Sequence, residues 1–364
     1  MISERTRNSL WKKGVTICLG LIVIIGFTSV SGAAPLSIEK QGSFAVGGTV
    51  VEATEPYDPR HPTPQSQTLH GDHANVNYQI PVDAKKPPLV FLHGAGQSMR
   101  TWQSTPDGRD GYQNIFLGKG YPVYLVDQPR RGDAGRSTVK GEIPATPDEQ
   151  FWFGQFRLGI WPDFYADTQF AQGEENLDQF FRQMTPNTGP FDAGLVADSL
   201  KALFGRIGDG VLVTHSQGCG PGWLAGMGSG NIKAIAAYEP GSGFVFPEGE
   251  VPEPIDNASP FSPLKASSVP KQEFMELTRK PIVIFYGDNI PSDRVAEPHK
   301  DYWRSAREMA GKFVDAVNRH GGDACIINLP DRGLTGNTHF PFSDRNNEAV
   351  AEIFEQWLKQ KGLD

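Results

Sequence analysis

The chain has 364 residues, 38% of them hydrophobic and 21% charged, which suffices for one large domain or two small ones. Glycine (41) and proline (29) are plentiful but follow no period, so a collagen-like repeat is excluded and a loop-rich globular protein is expected. A formal charge of −8 leaves no basic face for a polyanion, and nucleic acid is not an expected partner.

The first residues read differently from the rest. Arg5, Arg7, Lys12 and Lys13 precede the apolar run "GVTICLGLIVIIGF", and small residues follow in "TSVSGAAP". A basic stretch, an apolar core and a small-residue site in that order predict a secretory signal peptide over residues 1–33, cleaved after Ala33. The rival is an uncleaved anchor, but the run falls short of the roughly 20 apolar residues that span a bilayer. Cys18 lacks the small residues that precede a lipidated cysteine, so no stable membrane anchor is expected. The mature chain is then secreted or periplasmic. Losing residues 1–33 removes a net +3 and takes the formal charge from −8 to −11. Cys219 and Cys325 remain; export permits a disulfide, yet both lie in apolar runs, which favours two packed thiols.

Residues 34–364 read as one domain. "SFAVGGTVVEA" and "ANVNYQIPV" look like an antiparallel pair. After them come "PPLVFLHG", "YPVYLVDQP", "GVLVTHS", "IKAIAAYEP", "PIVIFYGD" and "ACIINLP", near-continuous apolar runs typical of parallel strands buried on both faces. Helical stretches such as "LVADSLKALFGRI", "YWRSAREMAGKFVDAVNRHG" and "RNNEAVAEIFEQWLKQKG" alternate with them. The fold class is therefore α/β, a mostly parallel sheet with helices on both faces. One connection is too long for an ordinary crossover. It holds an insertion at about 138–195, carrying Phe151, Trp152, Phe153, Phe156, Trp161, Phe164, Tyr165 and Phe170. Such clustering favours a lid or pocket wall over ordinary core.

Ligands of open parallel sheets bind beyond the carboxyl ends of the strands. There stand "HGAGQ", Ser216 in "THSQG", Glu239 in "EPG", Asp288 in "YGDNI" and His339 in "GNTHFPFSDRNN". The chain order is that of nucleophile, acid and histidine in a serine hydrolase. A serine hydroxyl needs an imidazole to take its proton, and the imidazole needs a carboxylate to fix its tautomer. The oxyanion needs backbone N–H donors, here those of Ala95 and Gln217. Thr214 replaces the first glycine of the usual G-x-S-x-G turn. Among the histidines, His61, His70 and His73 precede the sheet core and His93 braces its own turn. His215 points away by strand alternation, and His299 and His320 come before the last strand. His339 is left as the base. The acid stays open between Asp288, after the penultimate strand, and Glu239.

These segments, with "LHGAGQSMRTWQSTPDGRDGYQNIFLGKGYPVYLVDQPRRGDAGRS", resemble the secreted bacterial esterases of the Alcaligenes esterase type over about residues 42–360. That is an unusual group with the α/β-hydrolase fold. The resemblance implies a Ser–His–Glu triad of Ser216, His339 and Glu239, with the acid after the sixth strand, and oxyanion donors at Ala95 and Gln217. Where that type has adjacent cysteines in the first turn, this chain has Ala95 and Gly96. The expected activity is hydrolysis of a small-molecule carboxylic ester through an acyl-enzyme, with no cofactor and no metal. Lactone or amide hydrolysis and carbon–carbon cleavage are rivals on the same scaffold. A non-catalytic binding protein is a further one, although it would need none of the three residues.

Overall fold

Two long strands come first among the described residues, β1 (Ile38–Val51) and β2 (Leu69–Pro81), paired antiparallel. Six shorter ones follow: β3 (Leu89–Leu92), β4 (Val123–Asp127), β5 (Gly210–His215), β6 (Ile232–Tyr238), β7 (Ile282–Tyr286) and β8 (Ala324–Asn328). All eight form one sheet in the order β1-β2-β4-β3-β5-β6-β7-β8. β2 runs antiparallel to β1 and β4, and every later pair is parallel. The structure is a computed structural model that describes residues 35–84 and 86–364, so the expected leader at 1–33 lies outside the described residues.

Strand alternation decides which helices cover which face. Val90, Leu92, Leu212, Ile235 and Ile284 point to one side. They meet α4 (Ala193–Ile207), α5 (Cys219–Gly228) and α6 (Pro298–Arg319) through Phe204, Trp223 and Phe313. Leu89, Phe91, Val213, Ala236 and Phe285 point to the other side, against α1 (Tyr112–Gly118) and α7 (Asn347–Gln360) through Phe116 and Phe354. The apolar runs of β3, β5 and β7 are buried throughout because both faces are roofed.

Local signals fix the helix ends. Asp192 accepts the Leu195 N–H and opens α4, while Gly208 closes it with φ 85°. Glu297 accepts the His299 and Lys300 N–H groups at the start of α6, whose first residue is Pro298. Among the described residues no helix is long and apolar enough to cross a membrane.

The connection from β4 to β5 carries α2 (Glu149–Gln155), a small hairpin (Gly159–Ile160 with Asp163–Phe164) and α3 (Glu174–Arg182) before α4. Its aromatic residues divide between two jobs. Phe153, Phe170 and Phe180 join the core beneath, whereas Trp152 and Phe156 face a pocket and Trp161 is exposed. The clustering therefore marks core as much as pocket wall. Cys219 is buried, Cys325 is half-buried, and both are free thiols.

Candidate active site

Ser216 follows the last residue of β5 and opens a single 3₁₀ turn that runs into α5. Its φ is 51°, the left-handed region a non-glycine residue seldom adopts. The chain therefore turns sharply enough to lift the hydroxyl above the sheet edge, and strain of this kind persists where surroundings enforce it. The enforcement is steric. A Cβ on Gly94, in the turn after β3, would lie 2.7 Å from the Ser216 Cβ. Thr214, the residue that departs from the usual turn pattern, finds its room one helical turn later. A Cβ on Gly222 would stand 2.8 Å from the Thr214 Cγ2. The Thr214 hydroxyl donates to the Cys219 Sγ at 3.3 Å, so its polar atom is satisfied as well.

Ser216, Gln217, Ala95 and His339 line one pocket of about 380 Å³. Trp152, Phe156, Tyr302 and Trp303 supply much of its wall, with Gln155 and Ser242 as polar points. Gln217 lies in the turn leading into α5, where helix-end N–H groups favour a negative charge.

His339 is buried and held from several sides. Its N–H donates to the Phe156 carbonyl at 2.9 Å, and its own carbonyl accepts from His215 Nε2 at 2.9 Å. The Phe156 ring lies parallel to the imidazole, 5.5 Å away with a 9° interplanar angle. Behind it, Nδ1 faces Glu239 Oε2 at 3.4 Å. That contact is long for a hydrogen bond and has room to shorten when the ring becomes charged. Burial holds the imidazole down to about 4, against the opposing pull of Glu239. His215 does sit on the opposite side of β5 from Thr214, but its ring packs 4.5 Å from His339 and props the loop. His93 stays with its own turn, donating from Nδ1 to the Gly94 carbonyl at 3.0 Å. His320 pairs with Glu250 at the end of α6, and His299 faces Gln155.

The two candidate acids follow neighbouring strands and have different partners. Glu239 is fully buried with φ 54°. Its Oε1 accepts the Gly287 N–H at 2.5 Å and Arg157 Nη2 at 2.7 Å, which leaves Oε2 toward His339. Burial pushes this carboxyl up, but Arg157 and His339 outweigh it and the net shift is downward. Asp288 is occupied elsewhere: Oδ2 accepts the Gly336 N–H at 2.8 Å and Oδ1 the Asn289 N–H at 2.7 Å. It braces the turn that leads to the histidine loop.

Sequence reasoning overlooked Arg157. Fully buried, with φ 56°, it comes from the aromatic insertion and reaches under the pocket to Glu239. A single arginine among aromatics carries no local signal for such a role. Asp344 was also missed. Its buried carboxyl, raised to about 7 by burial, accepts from the Thr338 N–H and hydroxyl and from Asn337. Among the described residues no cluster of His, Cys, Asp and Glu could hold a metal ion.

Comparison with known proteins agrees with this architecture. A protein called "Probable secreted lipase phiG", from Fungal sp. (strain ATCC 74256), is 28% identical over 319 residues, covering 79% of this chain and 85% of its own. The solved structure of a novel bacterial esterase superposes with a TM-score of 0.72 at 28% identity, covering 90% of this chain and 98% of that one. The model of the alpha/beta hydrolase family matches residues 89–334, from the first parallel strand past the turns that bear Ser216, Glu239 and Asp288. That match spans most of the chain, and the protein belongs to the alpha/beta hydrolase family.

Proposed function

We propose that the protein is an exported serine esterase that cleaves carboxylic esters through an acyl-enzyme. The observation that carries this reading is the convergence of Ser216, His339, Ala95 and Gln217 on one pocket, with Glu239 against the far nitrogen of the imidazole. Ser216 Oγ attacks the ester carbonyl carbon as His339 Nε2 takes its proton. The oxyanion is held by the Ala95 and Gln217 N–H groups. His339 then passes the proton to the departing alcohol oxygen, and a water repeats the cycle on the acyl group. Glu239 fixes the Nδ1–H tautomer and stabilises the imidazolium. The aromatic wall suits an apolar acyl or alcohol group of moderate size. A bacterial esterase and a fungal protein named as a secreted lipase, both at 28% identity, support the ester reading.

Residues 1–33 are proposed as a leader that directs export, a reading supported by that same fungal relative. N-terminal sequencing of the protein recovered outside the cytoplasm should begin at or near Ala34. An intact leader in the membrane fraction would replace cleavage with anchoring.

Ser216→Ala should leave a folded protein with ester turnover reduced by several orders of magnitude and no labelling by a fluorophosphonate. Turnover of p-nitrophenyl esters, compared with lactones and amides, reads the reaction class. Near wild-type turnover in the folded variant would refute the mechanism.

Glu239→Gln should cost far more activity than Asp288→Asn, because an amide cannot stabilise the imidazolium; about 10⁴-fold is the scale known for such a change in a serine protease. Asp288→Asn should appear chiefly as a lower melting temperature, since its carboxylate satisfies loop N–H groups. The reverse ranking would move the acid to Asp288.

The base works only when neutral. With the buried His339 held down to about 4, it is half protonated near that pH and predominantly neutral from about one unit above it. The acid limb of kcat/KM should therefore have its midpoint near pH 4, well below an ordinary histidine near 6.5, and activity should fall as pH drops through it. A limb at 6.5, in protein shown to be folded, would contradict the buried and neutral imidazole.

A further inference from the structure

The insertion does more than line the pocket. Where α2 ends, residues 155–157 touch the acid–base pair at several points. The Phe156 carbonyl accepts the His339 N–H at 2.9 Å, and the Gln155 carbonyl accepts the Trp303 indole N–H at 2.6 Å. Trp303 in turn packs 4.3 Å from the His339 ring. Arg157 is the next residue, and its guanidinium fork joins three separate loops. Nη2 donates to Glu239 Oε1 at 2.7 Å, after β6. Nε donates to the Asp288 carbonyl at 2.9 Å, after β7. Nη2 also reaches the Thr338 carbonyl at 3.3 Å, beside His339. The guanidinium carbon lies 4.9 Å from the Trp303 ring, so the plane is fixed as well.

We propose that Arg157 is a positioning residue of the acid–base pair: it engages Glu239 Oε1, keeps that carboxylate charged and turns Oε2 to His339. The proposal rests on the serine-esterase reading above and adds to it a part supplied by the insertion. The chemistry requires such a partner. A carboxylate buried beside a neutral imidazole, with no cation, would be driven to take up a proton. Arg157 supplies a permanent charge and a planar fork, which a lysine cannot reproduce. Other charged or titratable groups near the pair have other attachments. His215 holds the His339 carbonyl, Tyr286 donates to the Pro240 carbonyl, and Asp344 is bonded to Thr338 and Asn337. Cys219 has its Sγ toward Thr214 and the Tyr238 carbonyl, and Arg307 donates to the Pro291 carbonyl. Asp288 meets Arg157 through its backbone oxygen, with its carboxylate on Gly336 and Asn289.

Two substitutions separate charge from fork. Arg157→Met removes both, so the Glu239–His339 pair binds its proton at higher pH. The acid limb of kcat/KM should move up by about one pH unit or more, and kcat should fall about 10²-fold with KM little changed. Arg157→Lys keeps the charge and loses the fork. Its limb should stay near the wild-type value while kcat still falls. Thermal melts and pH-dependent circular dichroism normalise each rate to folded protein. A residue that only held the fold together would lower the melting temperature and the folded fraction, leaving the limb and the kcat of folded molecules unmoved; that result overturns the proposal. If Arg157→Met does not fold, Arg157→Lys decides: reduced kcat per folded molecule supports the role, and wild-type kcat refutes it. Ser216→Ala is run alongside. Activity retained there would refute the esterase reading itself, whereas an inactive Ser216→Ala beside an unaltered Arg157 pair would refute only this inference.

Discussion

A carboxylate with no exposure to water has to be neutralised, and this requirement organises the centre of the molecule. Glu239 sits at the carboxyl end of β6 with its side chain fully enclosed. Burial alone would drive it to its protonated form. Arg157, the Gly287 N–H and His339 reverse that, and they come from three different connections. The ion pair thus ties the β4–β5 insertion to the turns after β6 and β7 and to the loop after β8. Breaking one member of such a buried pair leaves the other uncompensated, so these loops are joined energetically as well as sterically. Left-handed backbone at Arg157 and Glu239 follows the same logic, since each aims a side chain inward from a tight bend, while at Ser216 it turns the hydroxyl to the pocket.

The sheet supplies the fixed frame for this arrangement. Parallel strands buried on both faces end in register, and their following turns open toward the same edge. Position along the sheet then converts strand order into spacing: Ser216 after β5, Glu239 after β6, Asp288 after β7, His339 beyond β8. Thr214 shows how a departure from the small-residue pattern is absorbed. Its methyl occupies space left by Gly222, and the turn closes with a threonine where a glycine would be expected.

The strands were legible because roofing on both faces demands uninterrupted apolar runs, and those runs are visible in "VLVTHS" or "PIVIFYGD". Ser216 and His339 stood out as candidates for a related reason, since ligands of such sheets bind at strand ends, and folding brings both to one pocket. The acid was not decidable from strand position. Glu239 and Asp288 both follow parallel strands, and what distinguishes them is which N–H groups each carboxylate accepts, a property of loops far apart in sequence. The resemblance to a known esterase type pointed to Glu239, and of the two carboxylates it is Glu239 that faces His339. Arg157 was illegible because its partner Glu239 lies 82 residues away, and Asp344 because a charged residue in a polar loop reads as ordinary surface. The insertion's aromatics were read as one group, whereas folding sends Phe153, Phe170 and Phe180 to the core and Trp152 to the pocket wall, with Phe156 in both.

The histidine loop shows how much of this order is built before any substrate arrives. His339 is bonded at its N–H, at its carbonyl and at Nδ1, each time to a different segment. Its neighbour Thr338 is fixed at N–H and hydroxyl by Asp344, itself enclosed and further bonded to Asn337. A loop of small polar residues would ordinarily be free to sample many conformations. Here that freedom is removed during folding, so under the proposed reading it does not oppose the reaction. The same bonds explain why the imidazole can stay neutral and still face a carboxylate. Burial withholds water from the ring, and under the proposed reading Arg157 holds the negative charge in place until the proton from Ser216 arrives. At that moment Nδ1–H and Oε2 become a buried ion pair, and the contact that measures 3.4 Å in the resting pair can shorten.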